Sequence, residues 1–153
     1  MFFTLEKLER NTKQLKDLRY RERMEIPSFD ASTPEEEPVG KRPESVVYTG
    51  TLKKGDFWIG RGTYLWIRQS VEIPAEWVGK KIAGLFNMGK TGEGLNSGFE
   101  GLIYVNGSPY CETGSYHEEV IFPSELAGTK VELAIRLWAG LEGGGVPTQQ
   151  THQ

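Results

Sequence analysis

Two different spacings of apolar residues divide the chain. In residues 4–23, leucines recur at helical spacing while charged side chains cover the rest of the surface, so the sequence predicts an α-helix there. A narrow stripe of this kind is typical of a helix that docks on its own domain or on a partner, and also of a short coiled-coil seam. We favour docking because the heptads are too few for a coiled coil. The stripe consists of Leu5, Leu8, Leu15 and Leu18.

After Glu44 the pattern becomes β throughout. Short apolar runs alternate with turn signals, among them Asn106-Gly107, which tolerate the positive φ angles of a tight type I′ hairpin. Such spacing indicates a mainly β fold, an antiparallel β-sandwich preceded by an N-terminal α-helix, with no parallel βαβ units. The predicted strands are residues 46–52, 64–73, 82–87, 102–105, 110–112, 117–122 and 131–138.

Alternation within the two longest predicted strands assigns their faces. Aliphatic side chains share one face of each strand, which we expect to line the core. Trp66 and Trp138 fall on the opposite, outward face among charged residues. An outward tryptophan in such surroundings indicates a surface that docks the helix, another domain or a ligand. The core-facing residues are Leu65, Ile67, Val71 and Ile73 in the first strand, and Val131, Leu133, Ile135 and Leu137 in the second.

Composition predicts the domain organisation. Residues 1–24 form the helical arm, and residues 46–139 form the sandwich. Between them, residues 25–45 are rich in proline and glutamate, which predicts an extended, solvated connector. Residues 140–153 are glycine-rich and polar, as in a flexible linker.

Bulk properties exclude several classes of protein. The net charge of −3 over 153 residues offers no electrostatic footprint for nucleic acid or an acidic membrane. No apolar run is long enough to cross a bilayer, and charged residues follow Phe2 and Phe3 too closely for a secretory segment. The single Cys111 cannot form a disulfide within the chain and suits a reducing compartment. A cytoplasmic location is therefore expected.

Three segments in a particular order carry a family resemblance. They are Leu18-Arg19-Tyr20-Arg21-Glu22-Arg23, Ile73-Pro74-Ala75-Glu76-Trp77-Val78-Gly79-Lys80, and Glu100-Gly101-Leu102-Ile103-Tyr104-Val105-Asn106-Gly107. Together they resemble the N-terminal region of glycoside hydrolase family 38 α-mannosidases of the bacterial and fungal-vacuolar type. The similarity covers roughly residues 15–139. It implies a jelly-roll, galactose-binding-like sandwich.

The resemblance also implies a function. The parent enzyme would be a zinc-dependent, retaining α-mannosidase with a carboxylate nucleophile, and a His-x-Asp segment in a later catalytic domain would bind the zinc. This sequence contains no His-x-Asp, so we expect residues 1–153 alone to be inactive, without a catalytic residue, metal site or cofactor of their own. The expected partner is the catalytic domain of the same polypeptide. The domain would support that catalytic domain, its pocket rim or the subunit interface.

Two local patterns match the sequence motifs of other kinds of site, a phosphate-binding loop and a metal or acid–base site. Gly84-Leu85-Phe86-Asn87-Met88-Gly89-Lys90-Thr91 satisfies the P-loop pattern, but the glycines that follow cannot carry the helix whose N-terminus would hold phosphate. His117 stands beside Glu118 and Glu119, yet the other histidine is His152 in the tail, so no metal-binding spacing exists. Glutamates that could act as a glycosidase pair are Glu93, Glu100, Glu112, Glu118, Glu119 and Glu142; sequence alone brings no two of them together.

Aromatic residues supply the candidate contacts. A flat ring stacks on the apolar face of a pyranose, or fills the sandwich, or covers a face between domains. Two further hypotheses therefore stay open: an autonomous carbohydrate-binding module for a mannose-containing glycan, and a homo-oligomerisation module that works through the leucine stripe. The candidate sugar or inter-domain contacts are Trp58, Tyr64, Trp66, Tyr110, Tyr116 and Trp138.

Overall fold

The computed structural model describes residues 4–36, 40–56, 58–59, 62–88, 99–114, 116–140 and 151–152. One α-helix, α1 (Thr4–Leu18), precedes the strands of this part of the chain. The strands are β1 (Ser28–Ser32), β2 (Tyr48–Lys53), β3 (Trp58–Ile59), β4 (Tyr64–Glu72), β5 (Ile82–Leu85), β6 (Glu100–Val105), β7 (Ser108–Gly114), β8 (Glu119–Phe122), β9 (Lys130–Trp138) and β10 (Thr151–His152). Short 3₁₀ turns lie at Pro43–Ser45, Ala75–Trp77 and Ser124–Leu126.

All the strand pairs are antiparallel. Six strands form one sheet in the order β2-β1-β4-β9-β6-β7, β5 pairs with β8 in a second sheet, and β3 pairs with β10. A common apolar core joins the six-stranded sheet to the β5–β8 sheet. The predicted fold class, an antiparallel β-sandwich preceded by a helix, is therefore confirmed.

The central strands β4 and β9 define the core. They pair without interruption from Tyr64–Trp138 to Glu72–Lys130. Every residue predicted to face the core from these strands is buried, and Ile135 and Leu137 are completely inaccessible. Phe86 and Phe122 close the core from the opposite layer, with ring centroids 6.3 Å apart.

Trp66 lies on the outer face of the six-stranded sheet, as predicted, but it is 0% exposed. Val46 precedes β2 and packs over the Trp66 ring together with Tyr104 and Ala134, forming a second, smaller core. The Trp66 and Tyr104 ring centroids are 5.4 Å apart. This cover comes from segments distant in sequence, so the alternation of β4 alone could place the ring on the correct face without revealing its burial.

The β6–β7 hairpin turns as its sequence predicts. Asn106 and Gly107 have φ angles of 49° and 80°, the left-handed values that a type I′ turn requires at both central residues. The Asn106 side chain also accepts a hydrogen bond from the Glu132 amide at 2.9 Å, which ties the turn to the start of β9.

The connector requires a correction. Residues 25–45 were predicted to be solvated throughout, but Ser28–Ser32 form β1, which lies inside the six-stranded sheet between β2 and β4. Phe29 and Ala31 point into the core, and Asp30 points outward towards Arg68, 3.5 Å away. This alternation, confined to five residues, was masked by the surrounding prolines and glutamates.

The segment that matches the P-loop pattern begins inside β5. Gly84 lies in this strand, and a Cβ atom there would approach both the Phe86 and the Phe122 rings to 2.6 Å. Glycine at this position therefore lets two rings pack against the strand. The last three residues of the pattern, Gly89, Lys90 and Thr91, lie outside the described residues, as do residues 92–98 after them and most of the predicted tail, residues 141–150.

Gly84→Ala should lower the free energy of unfolding by about 1–3 kcal/mol, because the added methyl group forces two buried rings apart. Gly50→Ala is the matched control, since a Cβ at Gly50 has only the Ala31 carbonyl oxygen nearby, at 3.9 Å. Urea denaturation of both variants measures the difference. Equal stability of the two variants would contradict the packing role of Gly84.

Candidate functional site

The leucine stripe of α1 is exposed. Its four members project from a helix that makes no close packing with the sandwich core in the part of the chain that is described. An apolar helix face on a folded protein is normally covered by other residues, so this exposed stripe indicates an interaction surface. The exposed fractions are 73% for Leu5, 56% for Leu8, 68% for Leu15 and 71% for Leu18.

The chain just after α1 is attached to the sandwich. Arg19 forms an ion pair with Glu119 of β8 at 2.6 Å, and the Tyr20 hydroxyl donates a hydrogen bond to the same carboxylate. Glu22 pairs with Lys80 at 2.7 Å. We call this set of contacts, made by Arg19, Tyr20 and Glu22 with Glu119 and Lys80, the helix–sandwich joint.

The helix was predicted to continue to residue 23, and the joint explains why α1 ends at Leu18. If the helix continued, the consecutive side chains of Arg19 and Tyr20 would point in different directions around the helix axis. In the structure both side chains reach the one carboxylate of Glu119. A few residues on, Ile26 packs against the sandwich core. The attachment therefore starts directly after the last residue of α1.

The joint changes the acid–base properties of its members. The hydrogen bond from Tyr20 and the charge of Arg19 hold the pKa of the Glu119 carboxyl below its ordinary value, against the opposing effect of desolvation. The same hydrogen bond raises the pKa of the Tyr20 hydroxyl. The pKa of Glu22 is lowered by its hydrogen bond to Lys80, by the Lys80 charge and by a hydrogen bond from Trp77.

The structure separates the six candidate aromatic contacts into four groups. Trp58 and Trp66 are 5% and 0% exposed, so neither presents a ring face to a ligand. Tyr110 stacks on Phe122 with 5.5 Å between ring centroids and donates a hydrogen bond to the Ile121 carbonyl at 2.7 Å, which joins the edges of the two sheets. Tyr116 is 72% exposed in the turn before β8.

Tyr64 and Trp138 form the fourth group. They are directly opposite each other on β4 and β9, partly exposed on the outer face, with ring centroids 6.4 Å apart and ring planes inclined by 31°. The Arg136 guanidinium lies 5.6 Å from the centre of the Tyr64 ring, and Glu100 of β6 is the other direct neighbour of Trp138. We call these four residues the aromatic platform.

The candidate acids and the histidine do not converge on one place. Glu100 and Glu112 share the outer face of the six-stranded sheet, whereas Glu119 belongs to the joint, and Glu93 and Glu142 lie outside the described residues. His117 is exposed and contributes its backbone, which exchanges hydrogen bonds with Gly114. Within the described ranges, no three His, Cys, Asp or Glu side chains cluster as metal ligands would.

Sequence reasoning did not find the joint. Tyr20 and Glu119 are 99 positions apart, and no local pattern connects them. A signal was nevertheless present, because Arg19, Tyr20 and Glu22 all belong to the first segment of the family resemblance, and Lys80 belongs to the second.

Comparisons with known proteins return no match, either to a family model or to a curated sequence. Across the described residues, no helix has the length and apolarity needed to cross a bilayer.

The Tyr20 ring should report the protonation of the Glu119 carboxylate, and a substitution that removes this carboxylate should remove the signal. The folded-state pKa of Glu119 lies below the ordinary value of 4.5, so this carboxylate stabilises the joint fully above that pH, and the stabilisation is lost as the pH falls through the lower folded value. We expect the Tyr20 ring resonances in NMR spectra to shift with a midpoint below 4.5.

In Glu119→Gln the shift of the Tyr20 resonances should disappear. Glu125→Gln is the control, because Glu125 is exposed in the Ser124–Leu126 turn and should leave the Tyr20 titration unchanged. A midpoint at or above the ordinary carboxyl value, or a shift that survives in Glu119→Gln, would contradict the joint.

Proposed function

We propose that this chain is a non-catalytic N-terminal accessory domain of a zinc-dependent retaining α-mannosidase of glycoside hydrolase family 38. In this proposal its leucine stripe packs against the catalytic domain of the same polypeptide, and that other domain holds the zinc and the nucleophile. Two features support the proposal: the order of the three resembling segments, and a helix followed by an antiparallel β-sandwich, which is the architecture that the resemblance implies.

The observation that carries the proposal is the exposure of all four leucines of α1. An isolated helix of this length is marginally stable in water, and fully burying one leucine side chain contributes about 1.5–3 kcal/mol. A partner surface that covers the stripe would therefore supply the stabilisation that α1 lacks on this domain.

The joint gives the resembling segments a physical role. The first segment contributes Arg19, Tyr20 and Glu22 to the joint, and the second contributes Lys80, with Trp77 as a further hydrogen-bond partner of Glu22. These residues set where α1 leaves the sandwich. An accessory domain that braces another domain needs such a fixed exit, because the stripe and the sandwich must meet the partner together.

The stripe favours another domain over a second copy of this chain. Its leucines lie on a single helix of 15 residues, which offers about two heptads, and dimeric coiled coils of that length are marginal. A globular partner can cover a short helix from two sides and bury more of each leucine.

A pairing experiment tests the proposal. The reading frame that encodes Gln153 should continue into a domain with a His-x-Asp segment, and residues Met1–Gln153 alone should not hydrolyse an aryl α-mannoside in the presence of zinc. In the full polypeptide, Leu8→Glu should weaken the contact between the domains, because it buries a charge in an apolar interface. The expected result is a lower midpoint of thermal inactivation of the α-mannosidase activity.

Arg10→Glu is the control, since it also places a carboxylate on α1, but on the helix face opposite the leucine stripe, and should leave the inactivation midpoint unchanged. Hydrolysis by residues Met1–Gln153 alone would overturn the proposal. So would a reading frame without the zinc segment, or equal inactivation of Leu8→Glu and Arg10→Glu.

A further inference from the structure

The aromatic platform belongs to a row of residues that crosses the outer face of the six-stranded sheet. Trp138 stands in its centre, flanked by Tyr64 on β4 and Glu100 on β6. Beyond Tyr64, the Glu35 backbone pairs with that of Tyr64 through two hydrogen bonds of 2.9 and 2.8 Å. The Glu35 carboxylate forms an ion pair with Lys41 at 2.5 Å.

We propose that the aromatic platform binds a neutral pyranose sugar, with the Trp138 ring as its stacking surface. Aromatic rings stack on the apolar C–H face of a pyranose, and a few convergent polar groups then fix its orientation. The Glu100 carboxylate accepts hydrogen bonds from sugar hydroxyls, and the Arg136 guanidinium donates them to ring and hydroxyl oxygens. Both groups neighbour an aromatic ring of the platform in the sheet.

The platform lies on the protein surface and is not part of the smaller apolar core around Trp66. Trp66, one row further along the same face, is already sealed by Val46 and Tyr104, so the outer core is complete without Trp138. Pairing with Tyr64 restrains the Trp138 ring, and a restrained ring loses little conformational entropy when a ligand stacks on it.

Charge selects a neutral sugar. Among the residues that the structure describes, Glu35, Glu100 and Glu112 supply carboxylates around the platform, and Lys41 and Arg136 supply cations. Lys41 is already engaged by Glu35, so within this described set Arg136 faces the two exposed carboxylates Glu100 and Glu112. A sugar carboxylate would therefore be repelled, whereas hydroxyl groups find acceptors.

This inference goes beyond the bracing role. The platform lies on β4, β6 and β9, and the leucine stripe lies on α1, so the two surfaces share no residue. Loss of sugar binding would leave the docking of α1 intact, and failure of the docking experiment would leave the platform untouched.

Titration calorimetry of residues Met1–Gln153 tests the proposal, with α-linked mannobiose as the neutral probe and methyl glucuronide as the acidic one. A single stacking site predicts saturable mannobiose binding with a Kd on the order of millimolar, and no binding of the glucuronide. Trp138→Ala should weaken mannobiose binding by about tenfold or more, because it removes the stacking surface.

Two further variants separate the platform from general effects. Tyr116→Ala removes an exposed ring outside the platform and should leave the affinity unchanged. Glu100→Gln keeps the shape of the side chain, so it should still fold while binding mannobiose several-fold more weakly. Absence of saturable mannobiose binding at about 20 mM, equal affinity of Trp138→Ala and the unchanged chain, or preference for the glucuronide would each overturn the proposal.

Discussion

The in-register pairing of β4 with β9 is the constraint on which the rest of the structure depends. Nine residues of each strand pair without a bulge. Because side chains alternate along a strand, this one register sends Ile67 and Ile135 into the sandwich and sends Trp66 and Trp138 to the outer face. A slip of one residue would exchange the two sets, so the core and the aromatic platform are specified together.

The helix depends on a different and weaker kind of contact. α1 reaches the sandwich through ion pairs and hydrogen bonds at partly exposed side chains, whereas the sheets are joined by buried apolar groups. Exposed ion pairs contribute little to stability, so the joint can set where α1 leaves the sandwich without making the helix part of the cooperative core. A helix attached in this way leaves its leucine stripe free to pack against a neighbouring surface.

Sequence patterns predicted the features that depend only on residues close together in the chain. The alternation of β4 and β9 predicted the core faces, and Asn106-Gly107 predicted the hairpin turn, because both depend on neighbours in sequence. β1 was hidden because proline and glutamate dominate its surroundings. The burial of Trp66, the joint and the platform depend on strand order and register. A sequence pattern could place Tyr64 and Trp138 on one face without showing that they touch.

Amide hydrogen exchange of the chain in isolation tests the central claim. This claim is that the β-sandwich is stable by itself, whereas α1 needs a partner surface over its leucine stripe to become stable. We expect the amides of β4 and β9 to exchange slowest, at rates set by global unfolding, and those of α1 to exchange with almost no protection. Protection of α1 equal to that of β4 would show that the helix is already stabilised within this domain, and would contradict the account.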